Sequence, residues 1–581
     1  MRTAQPDEKK TTGSHYTPNL LAGFMAELIT QGLEIQSKGD YLRVLDPGAG
    51  DGELLLCLAE ELTHQGFSNL EIFGFDINPS AVNLARSRLK ERFQTLKTAI
   101  ECKDFLSVVL QHHSAGGNRT LFNPVPPAHY DVVIANPPYV RTQVMGAQKA
   151  QLLARQFGLT GRVDLYYAFL LGIAKVLKPG GILGIIVSNR FMTTKSGSSV
   201  RENILKLYDV LHVYDMGDTK MFEAAVLPAV LLLRRKSGKK SVVPQFSSIY
   251  TTNSQQQAHP CRNAIEALKQ SGVVQTERGQ RLMVQHGSLE HGGSADGVWR
   301  IANDNNEDWL ATVKQHTALI FSGIGKVRVG IKTTADKVFI GSDWGPRDQQ
   351  PELLRQLTTH HIGQRFKANP PKSWVLYPHE TVNGRKVAVD LEGYPKSKQY
   401  LERHRSTLEK REYVIQSGRN WFEVWVPQQP DLWRKPKLVW RDITEQPTFW
   451  IDLDGTIVNG DCYWLTLDSS LNADLLWLAL AVGNSTFIEQ FYDHKFHNKL
   501  YAGRRRFLTQ YVEQFPLPNP DSEPAKRIVI TAKQIYRLIP NPQYEQYQSE
   551  LNMLIWEVFG LKNPCGKQKL ALHIGEFAIK R

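Results

Sequence analysis

The sequence predicts an α/β protein, with a doubly wound, mainly parallel sheet in its first half and a mixed α+β domain after it. Three observations carry this expectation. Polar residues stand at the ends of short apolar runs at Asp46, Asp76, Asp104 and Asn136, spaced by 30, 28 and 32 residues. About 30 residues is the size of one strand–helix–strand unit. A glycine loop follows the first run, and two prolines stop the fourth. Such a series puts its polar strand ends on one sheet edge, which is where open α/β sheets bind ligands.

The elements follow in order. Gly13-Ser-His-Tyr16-Thr17-Pro18 leads into an amphipathic helix from Asn19, with Thr17 as the expected cap and Pro18 at the first helical position. Tyr41–Leu45 reads as a strand, Asp46-Pro-Gly48-Ala-Gly50-Asp-Gly52 as a loop, and Glu53 to about Gln65 as a helix. Glycines there let the backbone approach a ligand closely, and the helix N-terminus favours polar groups. The order is not the G-x-G-x-x-G of nicotinamide dinucleotide sites, since Glu occupies position 53, and no phosphate-binding Lys-Ser/Thr follows. A loop of this kind suits S-adenosylmethionine. Leu70–Asp76 is the second strand, and Asp76 stands near the offset at which an acid takes ribose hydroxyls. Ile100–Asp104 gives the third strand end, placed to accept from an adenine amino group.

The fourth strand is Val132–Ala135, stopped by Pro137 and Pro138, which cannot continue a ladder. Asn136 therefore sits at a strand end with Tyr139 three residues on. An exocyclic amino or amide nitrogen is a poor nucleophile because its lone pair is delocalised. Two acceptors, the Asn136 side-chain oxygen and the Pro137 carbonyl, can take both hydrogens and free that pair. Tyr139 offers a face for the planar group. A plain turn after a strand is the bland alternative. Beyond it come an apolar helix from Asp164, a strand at Ile182–Val187, and a closing pair at Val210–Met216 and Ala225–Leu233, with Phe222 between them.

The 581 residues carry a net charge of +13. Residues 1–130 hold 12 Lys and Arg against 15 Asp and Glu; the remainder holds 58 against 42, or +16. A polyanion contacting the later half is the simplest partner. No apolar run reaches ~18 residues, so no membrane span is expected. The start lacks an apolar signal region, and five scattered cysteines without a CxxC argue for a reduced cytoplasm and against a zinc site.

The order Gly13–Pro18, Asp46–Gly52, Asp76, Asp104, Asn136–Tyr139, Asp164–Gly181, Gly181–Met192 and Phe222 resembles the gamma-class, TaqI-type adenine-N6 DNA methyltransferases of restriction–modification systems. The resemblance implies the Rossmann-like fold of S-adenosylmethionine-dependent methyltransferases. It implies that Tyr16, Thr17, Pro18, Asp46, Gly48 and Gly50 border the cofactor's methionine part. Asp76 with the adjoining Ile77, and Asp104 with Phe105, would hold its ribose and adenine, with Asn136 beside them. Asn136, Pro137, Pro138 and Tyr139 would form the catalytic tetrapeptide, with Tyr139 and Phe222 stacking on a flipped base. Phe222 lacks the family's usual Phe-Pro surroundings.

The resemblance continues more weakly at Val329–Phe339, His361–Lys367, Tyr400–Tyr413, Lys435–Val439, Tyr501–Phe507 and Val512–Pro518, landmarks of a TaqI-like target-recognition domain. The expected domains are residues 1–240 (catalytic), 241–300 (linker and exposed loops) and 301–581 (recognition). Arg504, Arg505 and Arg506 are expected to contact DNA phosphates, or else to form a solvated turn. Asp452-Leu-Asp454-Gly-Thr456 matches a phosphatase pattern by chance, and Asn369-Pro-Pro-Lys is a loop.

The expected activity is transfer of a methyl group to adenine N6 in double-stranded DNA by a cytoplasmic monomer. A separate restriction endonuclease would share the target. The first cofactor motif begins after 15 residues, too few for a fused nuclease to precede it. Methylation of RNA, of protein glutamine, or of cytosine N4 are the alternatives.

Overall fold

The computed structural model describes residues 17–34, 41–114, 129–139, 147–159, 164–219, 221, 227–238, 242–294, 297–496, 500 and 503–564. The chain divides into two compact units. The first is Met1–Asp304 with Lys499–Gly503, and the second is Asn305–Asn498 with Arg504–Arg581.

The first unit is built on one sheet. Its strands in chain order are β1 (Leu42–Asp46), β2 (Leu70–Asp76), β3 (Lys97–Cys102), β4 (Tyr130–Ala135), β5 (Leu177–Ser188), β6 (Tyr208–Asp215) and β7 (Pro228–Arg235). β8 (Gln245–Thr251), β9 (His259–Cys261), β10 (Gly272–Thr276), β11 (Arg281–Glu290) and β12 (Arg300–Ala302) complete it. Across the sheet the order is β3-β2-β1-β4-β5-β7-β6-β8-β11-β10-β9, with β12 on β11. β1 to β5 run parallel, and β7 lies antiparallel between β5 and β6. The strand ends at Asp46, Asp76 and Ala135 therefore share one edge.

Buried strands alternate their side chains between two apolar layers. Val44, Val132 and Ile134 point into one core, with the helices Asn19–Gly32, Glu53–His64 and Pro79–Arg92. Leu45, Val133 and Ala135 point into the other, with Leu165–Val176 and Ser198–Leu207. That is the doubly wound arrangement the sequence predicts.

Two expectations are corrected. The first helix is capped by Pro18 and starts at Asn19, with the Pro18 carbonyl accepting from Leu21 and Ala22 at 2.9 and 3.0 Å. Thr17 is thus freed from capping. The described residues of the expected linker are not linker. They fold as β8 to β12, and β8 pairs parallel with β6, Phe246 opposite Val213. The physical reason is that the sheet's β6 edge needs a partner, and β8 buries Phe246, Ile249 and two serines against it.

The second unit has its own two cores. One gathers Trp440, Phe449, Phe507 and Phe515 around the helices Asp474–Gly483, Thr486–Phe496, Glu523–Leu538 and Tyr544–Val558. The other gathers Phe339, Leu401, Trp433, Trp450 and Trp464. Helix Asp474–Gly483 buries eight of its residues, as its all-round apolar sequence predicts. Asp452 is 6 % exposed and is consumed structurally: it accepts from the Asp454, Gly455 and Thr456 amides and pairs with Lys437 at 2.8 Å. The phosphatase-like pattern is a buried cap, not a nucleophile.

Candidate active site

Asp46 ends β1 fully buried, and its Oδ1 accepts from the Gly48 amide at 2.9 Å. Its Oδ2 is buried without a hydrogen-bond partner among the described residues. Burial pushes the carboxyl up to about 8; the Gly48 bond opposes this, and the charges of Asp76 and Asp51 add to it. Gly50 and Gly52 take positive φ of 51° and 83°, so the loop needs the conformations glycine permits. A Cβ at Gly48 would meet nothing within 4 Å, which leaves open space beside the backbone for a ligand. The Ala49 amide bonds the Phe75 carbonyl at 2.8 Å, tying the loop to the end of β2.

Asp76 holds the loop from β2. Its Oδ2 accepts from Gly50 at 2.9 Å and its Oδ1 from Asn78 at 2.8 Å. It remains half-buried, and Ile77 beside it is 67 % exposed. Asp104 caps the helix Phe105–Ser114, accepting from the Leu106 amide at 3.1 Å and the Ser107 hydroxyl at 3.0 Å. The Phe105 ring is 2 % exposed and packs on Phe75 and Phe169, with ring centroids 6.1 and 5.7 Å away. What Phe105 can offer a ligand is its main chain at a helix N-terminus, not its ring.

Asn136 follows β4. Its Nδ2 donates to the Thr17 hydroxyl at 3.0 Å, joining positions 119 apart in sequence. That bond is absent from the sequence reading. Pro137 is buried, while Pro138 and Tyr139 are half-buried; the Tyr139 ring lies 6.3 Å from Tyr166 at a 58° tilt. Tyr16 and Phe222 lie outside the described residues.

Further residues, brought together only by the fold, brace the edge. Arg88 pairs with Asp51 at 3.1 Å and with Glu53, and Glu53 accepts from Asn19 at 2.8 Å. Asn189, at the end of β5, donates to Asp215 at 3.0 Å, and the Tyr250 hydroxyl donates to the same carboxylate at 2.6 Å. Burial pushes Asp215 up to about 6, against the pull of these bonds.

The expected phosphate cluster splits. Arg505 is bidentate to Asp493 at 2.8 Å, and Arg506 pairs with Asp442 at 3.0 Å. Only Arg504 is exposed, and Tyr501 is outside the described residues. Guanidiniums already satisfied by carboxylates are poorly placed to take phosphates.

Asp51 and Asp76 make the surroundings of the loop acidic. They repel a phosphate and suit a cation, which fits a sulfonium-bearing cofactor rather than a dinucleotide. Asp46 also gives a signed expectation. Its folded-state pKa lies above the ordinary 3.8, so its stabilising contribution is full below that value and is lost as pH rises through about 8. Asp46→Asn keeps the shape and removes the titration. Its thermal unfolding temperature should fall less steeply than the wild type's between about pH 5 and 8; equal slopes would show an Asp46 that stays ionised.

Comparisons with known proteins agree with this geometry. The family model described as Eco57I restriction-modification methylase matches residues 70–222, and the TaqI-like C-terminal specificity domain matches residues 381–517. The Type II methyltransferase M.BanIII of Aneurinibacillus aneurinilyticus is 36% identical over 578 residues, covering 96% of this chain and 98% of that protein. M.BstVI of Geobacillus stearothermophilus is 23% identical over 569 residues, covering 94% and 96%. The structure of the Type IIL restriction-modification enzyme MmeI in complex with DNA matches with a TM-score of 0.61 at 14% identity. It covers 99% of this chain and 79% of that one, and at such identity speaks for the fold alone. The fold and these relatives make S-adenosylmethionine the cofactor. With that relative matched along nearly its whole length, the chain belongs to the Type II restriction–modification DNA methyltransferases and carries a C-terminal specificity domain.

Proposed function

We propose that the chain methylates the N6 amino group of adenine at one specific sequence in double-stranded DNA. The observation that carries this reading is Asn136: one residue past β4, bonded to Thr17, and on the sheet edge that holds the glycine loop. Adenine N6 is stacked and paired in a duplex, so the base must be flipped out, at a few kcal/mol. Stacking on Tyr139 offsets ~1–3 kcal/mol of that, with Phe222 as the second stacking ring. The Asn136 amide oxygen and the Pro137 carbonyl accept the two amino hydrogens and leave the nitrogen lone pair free to attack. Pro138 fixes the backbone that presents them. Positioning supplies most of the rate. S-Adenosylmethionine, when bound, supplies an electrophilic methyl group on a sulfonium.

Tyr16, Thr17, Pro18, Asp46, Gly48 and Gly50 would border its methionine part. Asp76 and Ile77 would take its ribose, and Asp104 with the Phe105 main chain its adenine. Asn136 favours adenine over cytosine N4, where the related class usually has Ser. The second unit would select the DNA sequence, with Arg504 on phosphate. The enzyme would act as a monomer, and the modified base would be protected from a separate nuclease of the same target.

Expression in a methylation-deficient host, followed by sequencing that detects modified bases, tests the reading. N6-methyladenine at one motif is expected; N4-methylcytosine, or no modification, overturns it. Asp76→Ala should raise the cofactor Kd by roughly 10- to 100-fold, the cost of two charge-assisted hydrogen bonds. Unchanged affinity by titration calorimetry would remove the ribose assignment.

A further inference from the structure

In the second unit two strands, His379–Val382 and Arg385–Ala388, pair only with each other. Asn383 and Gly384 join them at φ of 51° and 72°, the left-handed pair that a two-residue hairpin turn requires. The whole tip from Val382 to Val387 is exposed. Opposed residues share a face, and the register sets Val382 opposite Arg385 and Glu380 opposite Val387. One face therefore shows Glu380, Val382, Arg385 and Val387. The other carries His379, Thr381, Lys386 and Ala388 and turns toward the body of the unit. His379 is buried there, and Thr381 donates to Asp431 at 3.2 Å.

The outward face is odd for a solvated hairpin. Val382 and Val387 are 46 % and 36 % exposed, and Arg385 stands between them. Neither Arg385 nor Lys386 has an ion pair or side-chain hydrogen bond among the described residues. Some other cations of this unit are committed, Arg505 to Asp493, Arg506 to Asp442, Lys398 to Glu392 and Arg405 to Glu409, and others, such as Arg347 and Arg355, share the open state of Arg385 among the described residues. A two-stranded ribbon held to the unit by one face, with an unpaired guanidinium between two methyl-bearing side chains on the other, matches the major groove. That groove is about 12 Å wide and admits such a ribbon. Arginine there reads guanine O6 and N7, and apolar side chains meet thymine methyls.

We propose that the ribbon 379–388 enters the major groove of the target duplex. Arg385 reads a guanine, Val382 and Val387 contact neighbouring bases, and Lys386, exposed beside the turn on the opposite face, reaches a flanking phosphate. This rests on the reading of the chain as a sequence-specific DNA enzyme.

The test uses the full-length protein, the cognate duplex and duplexes with single base-pair changes through the target. Arg385→Ala should lower kcat/KM on the cognate duplex by roughly 10- to 100-fold. It should flatten discrimination at one or two base pairs and leave S-adenosylmethionine affinity unchanged. Lys386→Ala should weaken all duplexes alike and reduce the salt slope of DNA binding by about one. Both side chains are exposed, so unchanged cofactor affinity and unfolding temperature certify the fold. Wild-type behaviour of both variants, or a loss in Arg385→Ala that is equal on every sequence, overturns the proposal. A wild-type protein that modifies no duplex sinks the DNA reading and the ribbon together.

Discussion

Asn136→Ala should lower single-turnover methyl transfer by roughly 10²- to 10³-fold, the usual consequence of deleting one preorganised polar group at a reacting centre. Cofactor affinity should move by no more than a few-fold. The asymmetry follows from the position of the side chain. Its Nδ2 is held by the Thr17 hydroxyl at 3.0 Å, so the amide cannot rotate freely and its oxygen is turned the other way. The glycine loop is instead braced by Asp46, Asp76 and Arg88, none of which depends on Asn136. Thr17→Val then makes a second, graded case. It removes the bond without removing the amide, and should cost rate through loss of orientation while Asn136 is still present. Radiolabelled methyl transfer and titration calorimetry together decide the point. Near-wild-type turnover in Asn136→Ala would take the catalytic role away from this residue.

The first half of the fold was legible because its signals are local. Val132 to Ala135 are consecutive apolar residues stopped by two prolines, and the structure has β4 end at Ala135. The glycine loop and the acids at strand ends were equally plain. Residues 241–300 were not. β8 reads Gln-Phe-Ser-Ser-Ile-Tyr-Thr, and its serines are 1 % and 2 % exposed, which no apolar count would suggest. Ser247 is tolerated because neighbouring strands satisfy it: it sits between His212 on β6 and His286 on β11, 2.8 Å from each. A signal did exist nearby. Val273-Val274 and Leu282-Met283-Val284 flank a turn at Gly279, where φ is 78°. The surroundings of the arginine cluster were hidden for the opposite reason. Its sequence shows three cations, but the partners Asp442 and Asp493 are 64 and 12 residues away, and spacing alone does not reveal them.

That misread segment decides where the chain can be cut. Residues 1–304 should give a folded, cofactor-binding protein without site-specific methylation, while residues 1–240 should fail to fold. The two apolar cores of the first unit draw on Phe246, Ile249, Leu289, Trp299 and Ile301, and on none of the described residues beyond Ile301. A cut at 240 deletes all five. Losing one such side chain costs about 2–5 kcal/mol, against a total stability of roughly 5–15 kcal/mol for a domain. The same cut strips β6 of its pairing with β8 from His212 to Asp215. It leaves the buried Asp215 without the Tyr250 hydroxyl and Asp218 without the Thr251 amide. Arg201, 3 % exposed, keeps the Phe191 and Thr194 carbonyls but loses that of Gly297 at 2.7 Å. None of these losses occurs in 1–304, which gives up the second unit and the short stretch 499–503. The comparison needs circular dichroism, unfolding with and without S-adenosylmethionine, and methylation of target and non-target duplexes. Cooperative unfolding and cofactor binding by 1–240 would show β8 to β12 to be dispensable. Selective methylation of the wild-type motif by 1–304 would mean that the second unit does not choose the sequence.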